Sequence, residues 1–140
     1  ARAWVGVLAV GVAQRALNEA LAYGKERIQF GKPILKQEAL QFKIADMQIK
    51  IETARQMCSY ALTLMDSGED FVKEAAIAKA YGSDIANWCA SEAVQIFGGY
   101  GYIRDYPVEK LMRDAKIFQI FEGTNEIQRV VIASNVIGRL

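Results

Sequence analysis

Apolar residues recur along this chain at alternating steps of four and three. Leu40, Ile44, Met47, Ile51, Ala54, Cys58, Ala61 and Met65 keep that rhythm through one long segment. It is the pattern of a helix that buries one face. Phe42, Ala45 and Ile49 widen the stripe, which predicts the broad face of a bundle helix rather than a thin coiled-coil seam. The first segment repeats the pattern with Val5, Ala9, Val12, Ala16, Ala20 and Tyr23. A third runs through Phe71, Ala75, Ala78, Ile85, Cys89, Ala93 and Ile96, with Gly82 on the same line. That glycine offers room for another backbone to approach. No stretch keeps the two-residue alternation of a strand.

The breaks agree with the periods. Gly31 and Pro33 separate the first two long helices, and Asp66-Ser67-Gly68 ends the second. Glu69 and Asp70 suit the start of the third, where the helix dipole favours negative charge. Gly98-Gly99-Tyr100-Gly101 ends it, and Pro107 suits the first turn of a short fourth helix. Gly123-Thr124 divides that helix from a fifth, with Thr124 as its N-cap. The prediction is an all-α fold: an antiparallel four-helix-type bundle with one additional short helix, a single domain over 1–140.

Composition narrows the function. At 140 residues, 52% of them hydrophobic, the chain can bury a real core. Seventeen basic and sixteen acidic residues are interspersed for a net charge of +1, which argues against a nucleic-acid surface. No run approaches the ~18 apolar residues of a membrane span. Cys58 and Cys89 fall on apolar stripes, so two buried thiols in a reducing compartment are expected. Histidine is absent, which removes Ser-His-Asp and Cys-His chemistry and the commonest metal ligand; no metal is expected. The first residue is Ala1, already inside a helical pattern, so a piece of a longer protein is expected.

Three glycine-marked junctions carry candidate chemistry. RIQFGKP, from Arg27 to Pro33, puts an arginine and an aromatic at a helix end. Arg27 could grip a phosphate and Phe30 cover a ring, or Arg27 could simply offset the helix dipole. QIFGGYGY, from Gln95 to Tyr102, offers consecutive glycines whose N–H groups a ligand could touch. A chain reversal explains the same residues, and no preceding strand supports a dinucleotide fingerprint. IFEGTNEIQR, from Ile120 to Arg129, places the lone carboxylate Glu122 after Ile117, Phe118, Ile120 and Phe121. The start of the last helix stabilises the ionised acid, whereas loss of water makes it a stronger base. The balance turns on whether a bound substrate excludes water. An ordinary surface glutamate is the competing explanation.

Taken together at these separations, the three motifs resemble the C-terminal helical domain of the acyl-CoA dehydrogenase flavoenzymes. The resemblance runs from Arg2 to Leu140 and is densest in YPVEKLMRDAKIFQIFEGTNEIQR, Tyr106 to Arg129. It implies α,β-dehydrogenation of an acyl-CoA thioester to the trans-2-enoyl form. A glutamate takes the α-proton, the β-hydrogen leaves as hydride to FAD, and hydrogen bonds polarise the thioester carbonyl. The medium- and short-chain members carry the base in the motif matched by Phe121-Glu122-Gly123-Thr124, so Glu122 is the implied base. Gly123 would lie beside the thioester, and Phe121 stands where many members have Tyr. Other members place the base on the first helix, at a position matching Ala1, which cannot serve. Arg2 resembles a family arginine near the catalytic acid.

The FAD contacts implied by resemblance are Arg27 on the pyrophosphate and Phe30 on the cofactor of a neighbouring subunit. Gln95, Ile96, Phe97, Gly98 and Gly99 would lie along the adenosine half, and Thr124 and Glu126 would touch FAD where the last helix begins. Glu38 stands where the family often has Gln, and a carboxylate there would turn from the pyrophosphate or meet only ribose or adenine. The implied partners are an acyl-CoA substrate, an electron-transferring flavoprotein and further copies in a homodimer or homotetramer. The implied setting is fatty acid β-oxidation in the bacterial cytoplasm or the mitochondrial matrix. Members also have an N-terminal helical domain and a middle β domain. These 140 residues alone are therefore expected to bind FAD weakly or not at all and to turn over no acyl-CoA. Two other readings keep the scaffold: a non-catalytic helical assembly module and an acyl-CoA oxidase-like relative.

Overall fold

The computed structural model describes residues 1–140. Five helices form: α1 (Arg2–Glu26), α2 (Glu38–Asp66), α3 (Val72–Phe97), α4 (Val108–Ile117) and α5 (Asn125–Ile137). No helix is long and apolar enough to cross a membrane. The central element is α3, which packs against all four others. Gly6 meets Ala78 and Gly82 near the starts of α1 and α3, and Tyr23 stacks on Phe97 near their ends, so these helices run parallel. Between them in sequence, α2 returns antiparallel: Gly6 faces Cys58, Arg55 donates to Gln14, and Lys43 bonds Glu92.

The alanine stripes set how tightly the bundle closes. Ala9, Ala13, Ala16 and Ala20 of α1, and Ala78, Ala86, Ala90 and Ala93 of α3, are buried. Small side chains let the two axes approach, and the glycines bring them closest. A Cβ on Gly82 would sit 3.1 Å from the Gly6 carbonyl oxygen, and one on Gly6 would sit 2.8 Å from the Ala78 carbonyl oxygen. Backbone cannot yield as a flexible side chain can. Gly6→Ala is therefore expected to destabilise the chain by about 1–3 kcal/mol, despite the gain in helix propensity. Gly11, exposed on the same helix with nothing near its Cβ position, gives the opposite sign: Gly11→Ala should stabilise by about 0.5–1 kcal/mol. Thermal unfolding of the pair checks both.

Several boundaries differ from expectation. Arg27 to Pro33 is not a bare turn: Ile28–Gln29 (β1) pairs antiparallel with Lys32–Pro33 (β2), in register Ile28↔Pro33 and Gln29↔Lys32. The two-residue reversal uses left-handed backbone at Phe30 and Gly31, the twist a tight hairpin needs. A ladder this short leaves no periodic signal. Pro107 caps α4 instead of sitting in its first turn. Phe42 and Ile49 are 61% and 62% exposed, and Ala45 is exposed too. They lie on the flank of the stripe of α2, and α1 and α3 cover only its centre: Met47, Ile51, Ala54, Cys58 and Ala61. Thr124 caps α5 by accepting the Ile127 N–H, Asp70 accepts the Val72 N–H, and Cys58 and Cys89 are buried free thiols.

Candidate active site

Two concavities open at opposite ends of the parallel pair α1 and α3. The larger, about 520 Å³, lies at their C-terminal ends. Its walls are Tyr23 of α1 and Arg27 just after it, Gln29 and Ile34 of the hairpin region, and Ile96 to Tyr100 with Ile103. Tyr23 and Phe97 stack at 4.1 Å, with Tyr106 edge-on to both. The Arg27 guanidinium lies over the Tyr100 ring, 5.2 Å from its centre. Arg27 also ends α1, its N–H bonded to the Tyr23 carbonyl, so the capping role and a place in the cleft coexist. Gly98 turns the chain with φ of 64°. A cation on an aromatic wall beside open glycine backbone suits a ligand with both a phosphate and a ring.

The sequence-derived residues divide here. Arg27, Ile96, Phe97, Gly98 and Gly99 share the cleft. Gln95 is exposed and does not line it. Phe30 is 88% exposed at the hairpin tip, and Glu38 is exposed in the first turn of α2. Neither borders the cleft of its own chain.

The second concavity, about 350 Å³, lies at the N-terminal ends. Glu122 borders it together with Ala1 and Arg2 of the α1 start and Phe71, Val72 and Ala75 of the α3 start. The structure thus unites Glu122 and Arg2, which the sequence separates by most of its length. It does not dry the carboxylate. Ile117, Ile120 and Phe121 are exposed, and Glu122 itself is exposed; only Phe118 of the preceding apolar group is half-buried, its ring edge-on to Phe121. Those apolar residues span the last residue of α4 and the turn that follows it. This chain's own packing does not exclude water from the acid, so exclusion is left to a bound substrate, as the sequence implies.

The backbone under Glu122 is unusual. Its φ is 56°, left-handed for a non-glycine residue, and Gly123 follows at 87°. Such strain collects at functional sites when surroundings over-determine it. The positive φ favours glycine at 123, and a Cβ there would also lie 2.9 Å from Gln128 Nε2, the end of a side chain that would have to shift. The Glu122 and Gly123 N–H groups make no hydrogen bond within the protein.

Beneath this turn lies a buried polar network. Lys79 of α3 has no exposed surface, and its Nζ donates to the Gly123 carbonyl at 2.7 Å and to Asn125 Oδ1 at 2.9 Å. Asn125 Nδ2 donates to Ser83 Oγ and to Asp84 Oδ1, both at 2.8 Å. Gln119 and Arg129 also donate to Asp84. Gln128 Nε2 donates to the Gly123 carbonyl at 2.9 Å and to that of Glu122 at 3.4 Å, while its buried Oε1 has no partner. Burial pushes the Lys79 ammonium below the usual lysine range, with Asp84 and Glu126 pulling the other way.

A polar crevice of about 360 Å³ flanks the network, bordered by Thr124 and Glu126 with Lys116 and Arg129. Its own backbone N–H and the Thr124 hydroxyl hold the Glu126 carboxyl below the usual range. No cluster of His, Cys, Asp and Glu could hold a metal ion.

The family model described as the acyl-CoA dehydrogenase C-terminal domain matches residues 1–137. The chain belongs to the acyl-CoA dehydrogenase family. It is 48% identical over 137 residues to an acyl-CoA dehydrogenase of Bacillus subtilis (strain 168), covering 98% of this chain and 36% of that protein. The solved structure of butyryl-CoA dehydrogenase from Megasphaera elsdenii matches with a TM-score of 0.97 at 48% identity, over 98% of this chain and 36% of that one. An FAD complex of PigA matches with a TM-score of 0.90 at 32% identity, over 94% of this chain and 34% of that one. The acyl-CoA dehydrogenase domain therefore spans about a third of the length of these relatives.

Sequence reasoning overlooked Lys79, Asp84, Asn125 and Gln128 in this acyl-CoA dehydrogenase domain. One signal was available. Lys79 is the lone charge in AAIAKA, on the helix with the densest apolar stripe, where a solvated lysine has little room. Asn125 and Gln128 carried no such mark, because their partners lie more than 40 residues away or across a local turn.

Proposed function

We propose that this domain belongs to an FAD-dependent enzyme that dehydrogenates an acyl-CoA thioester between its α- and β-carbons, with Glu122 as the α-proton base. The observation that carries the reading is the strained Glu122 carboxylate, facing a concavity it shares with Arg2. A base held by rigid helices needs no reorganisation to meet its substrate. The unpaired N–H groups of Glu122 and Gly123 are donors beside the acid, available to a thioester oxygen as negative charge develops there. Arg2, at the same rim, orients the acyl-CoA, and Phe121 and Gly123 flank it. Since the apolar residues around Glu122 leave it exposed, water must be expelled by the substrate itself together with protein outside these residues. Bound FAD supplies the acceptor for the β-hydride.

The larger cleft fits a dinucleotide end. Arg27 meets the pyrophosphate there, and Ile96 to Gly99 receive the adenosine half. Along α1, at about 1.5 Å per residue, Arg27 lies roughly 35 Å from Arg2 and Glu122, too far for one flavin to touch both. The two clefts of one chain thus serve two flavins, and a second copy completes each site. Phe30, exposed on its hairpin, reaches the cofactor of that copy, with Gln95 and Glu38 at the same interface. Thr124 and Glu126 contact the flavin of their own chain. A homodimer or homotetramer, an electron-transferring flavoprotein as acceptor, and a reducing compartment (bacterial cytoplasm or mitochondrial matrix) suit this arrangement. The 140 residues alone hold half of each site and are expected to retain little FAD and no turnover.

The test is spectroscopic. The full-length FAD-loaded protein is expected to lose its flavin absorbance within seconds of anaerobic mixing with short- or medium-chain acyl-CoA. A flavin that binds but stays oxidised with every chain length would end the proposal.

A further inference from the structure

We propose that Lys79 is a positioning residue for Glu122: its ammonium, carried by the central helix, fixes the Gly123–Thr124 peptide, one residue beyond the acid, and so aims the carboxylate into the concavity shared with Arg2. The proposal rests on the reading of Glu122 as base. Two consecutive left-handed residues, Glu122 and Gly123, set the direction in which the carboxylate leaves the chain. A non-glycine residue keeps that conformation only where its surroundings insist on it. The insistence comes from two sides. From α3, Lys79 Nζ holds the Gly123 carbonyl at 2.7 Å and Asn125 Oδ1 at 2.9 Å, tying the turn to the first residue of α5. From α5, Gln128 Nε2 holds the Glu122 and Gly123 carbonyls.

Packing alone does not explain the lysine. It is 0% exposed, and its acceptors are two neutral oxygens. Burying an ammonium in this way is costly even with Asp84 and Glu126 nearby, and an apolar side chain of similar volume would avoid that cost but leave Asn125 Oδ1 without its donor. Gln128 is kept with its buried Oε1 unpartnered, a second cost at the same turn. What both side chains add is directed bonds to the peptides on either side of Gly123.

The test compares Lys79→Met and Glu122→Gln in the FAD-loaded full-length protein, by single-turnover flavin bleaching with acyl-CoA. Lys79→Met is expected to slow bleaching per bound flavin by about 10–100-fold, the scale of a small misplacement of a reacting group. The dissociation constant for acyl-CoA should change less than about threefold, because binding does not need the carboxylate aimed. A purely structural lysine would lower melting temperature and flavin content while leaving the rate per bound flavin intact, and that outcome overturns the proposal. In the 140-residue chain itself, amide exchange at Asn125, whose N–H bonds the Gln119 carbonyl, should accelerate while exchange in the centres of α1 and α3 does not. Unchanged exchange at Asn125 also overturns it. If Lys79→Met does not fold, Lys79→Gln keeps one neutral donor and meets the same standard with a smaller loss. Full bleaching in Glu122→Gln removes the base reading. Full bleaching in the lysine variants alone removes only the positioning role.

Discussion

Replacing Glu122 by Gln is expected to abolish acyl-CoA-driven flavin reduction while leaving the domain folded and the substrate bound. The amide matches the carboxylate in size and reaches the same concavity, so the Arg2 rim and the turn held by Lys79 and Gln128 stay in place. It cannot accept a carbon-bound proton. Loss of a positioned general base costs about 100- to 10,000-fold in rate. Because the base acts in the transition state and contributes little to ground-state binding, the loss falls on the single-turnover rate constant and not on the dissociation constant. Stopped-flow bleaching and an acyl-CoA titration separate the two. A variant that bleaches at the native rate would leave Glu122 as an ordinary surface acid, which is what its exposure in the single chain would otherwise imply.

Alkaline pH is the second strong lever, and it acts on stability. Burial pushes the Cys58 thiol up to about 11, with the Arg55 guanidinium opposing. Burial pushes the Cys89 thiol up to about 12, with Lys50 opposing and Glu92 adding to the rise. In the unfolded chain both titrate near 8.5 (roughly the free-thiol value). Above that pH the unfolded chain loses thiol protons that the folded chain keeps. The stabilisation is therefore whole below the unfolded value and disappears as pH climbs toward the folded values. The loss is on the order of 2–3 kcal/mol per thiol by pH 11.

Lys79 contributes the opposite slope. Its folded value is depressed, so the unfolded chain binds the extra proton and stability rises with pH between the folded and unfolded lysine values. Two thiols against one lysine leave a net fall. Urea unfolding at stepped pH from 8 to 11 measures it, and the Cys58→Ala, Cys89→Ala double variant should reverse its sign. A native fall that survives the double substitution would assign the alkaline sensitivity elsewhere. The same burial predicts that neither thiol is alkylated in the folded chain at neutral pH.

Much of the bundle was legible because helices announce themselves locally. The three-and-four rhythm of Leu40 to Met65, the Thr124 cap and the Gly68 stop each depend on neighbours within a turn or two. Gly82 was legible too, since a glycine inside an apolar stripe has few uses besides close approach. The flank of α2 was misread for a complementary reason. The period says which residues share a face, but not how many helices arrive to cover it, so Phe42 and Ile49 are apolar and exposed. The β1–β2 ladder escaped because two residues carry no period.

The site divides along the same line. By itself the sequence determined the helix count, the Thr124 cap, the buried thiols, and, through the Phe121-Glu122-Gly123-Thr124 motif, the resemblance to a family in which a base stands there. The resemblance implied that Arg2 stands near the acid, but only the tertiary structure decided which concavity they share, that Arg27 lies over Tyr100, and that the two clefts open at opposite ends of α1. It alone placed Lys79 under the strained turn. The physical reason is range. Backbone hydrogen bonds and apolar period act over a few residues and are written in local order, whereas a directed side-chain bond spanning 44 positions depends on where whole helices come to rest.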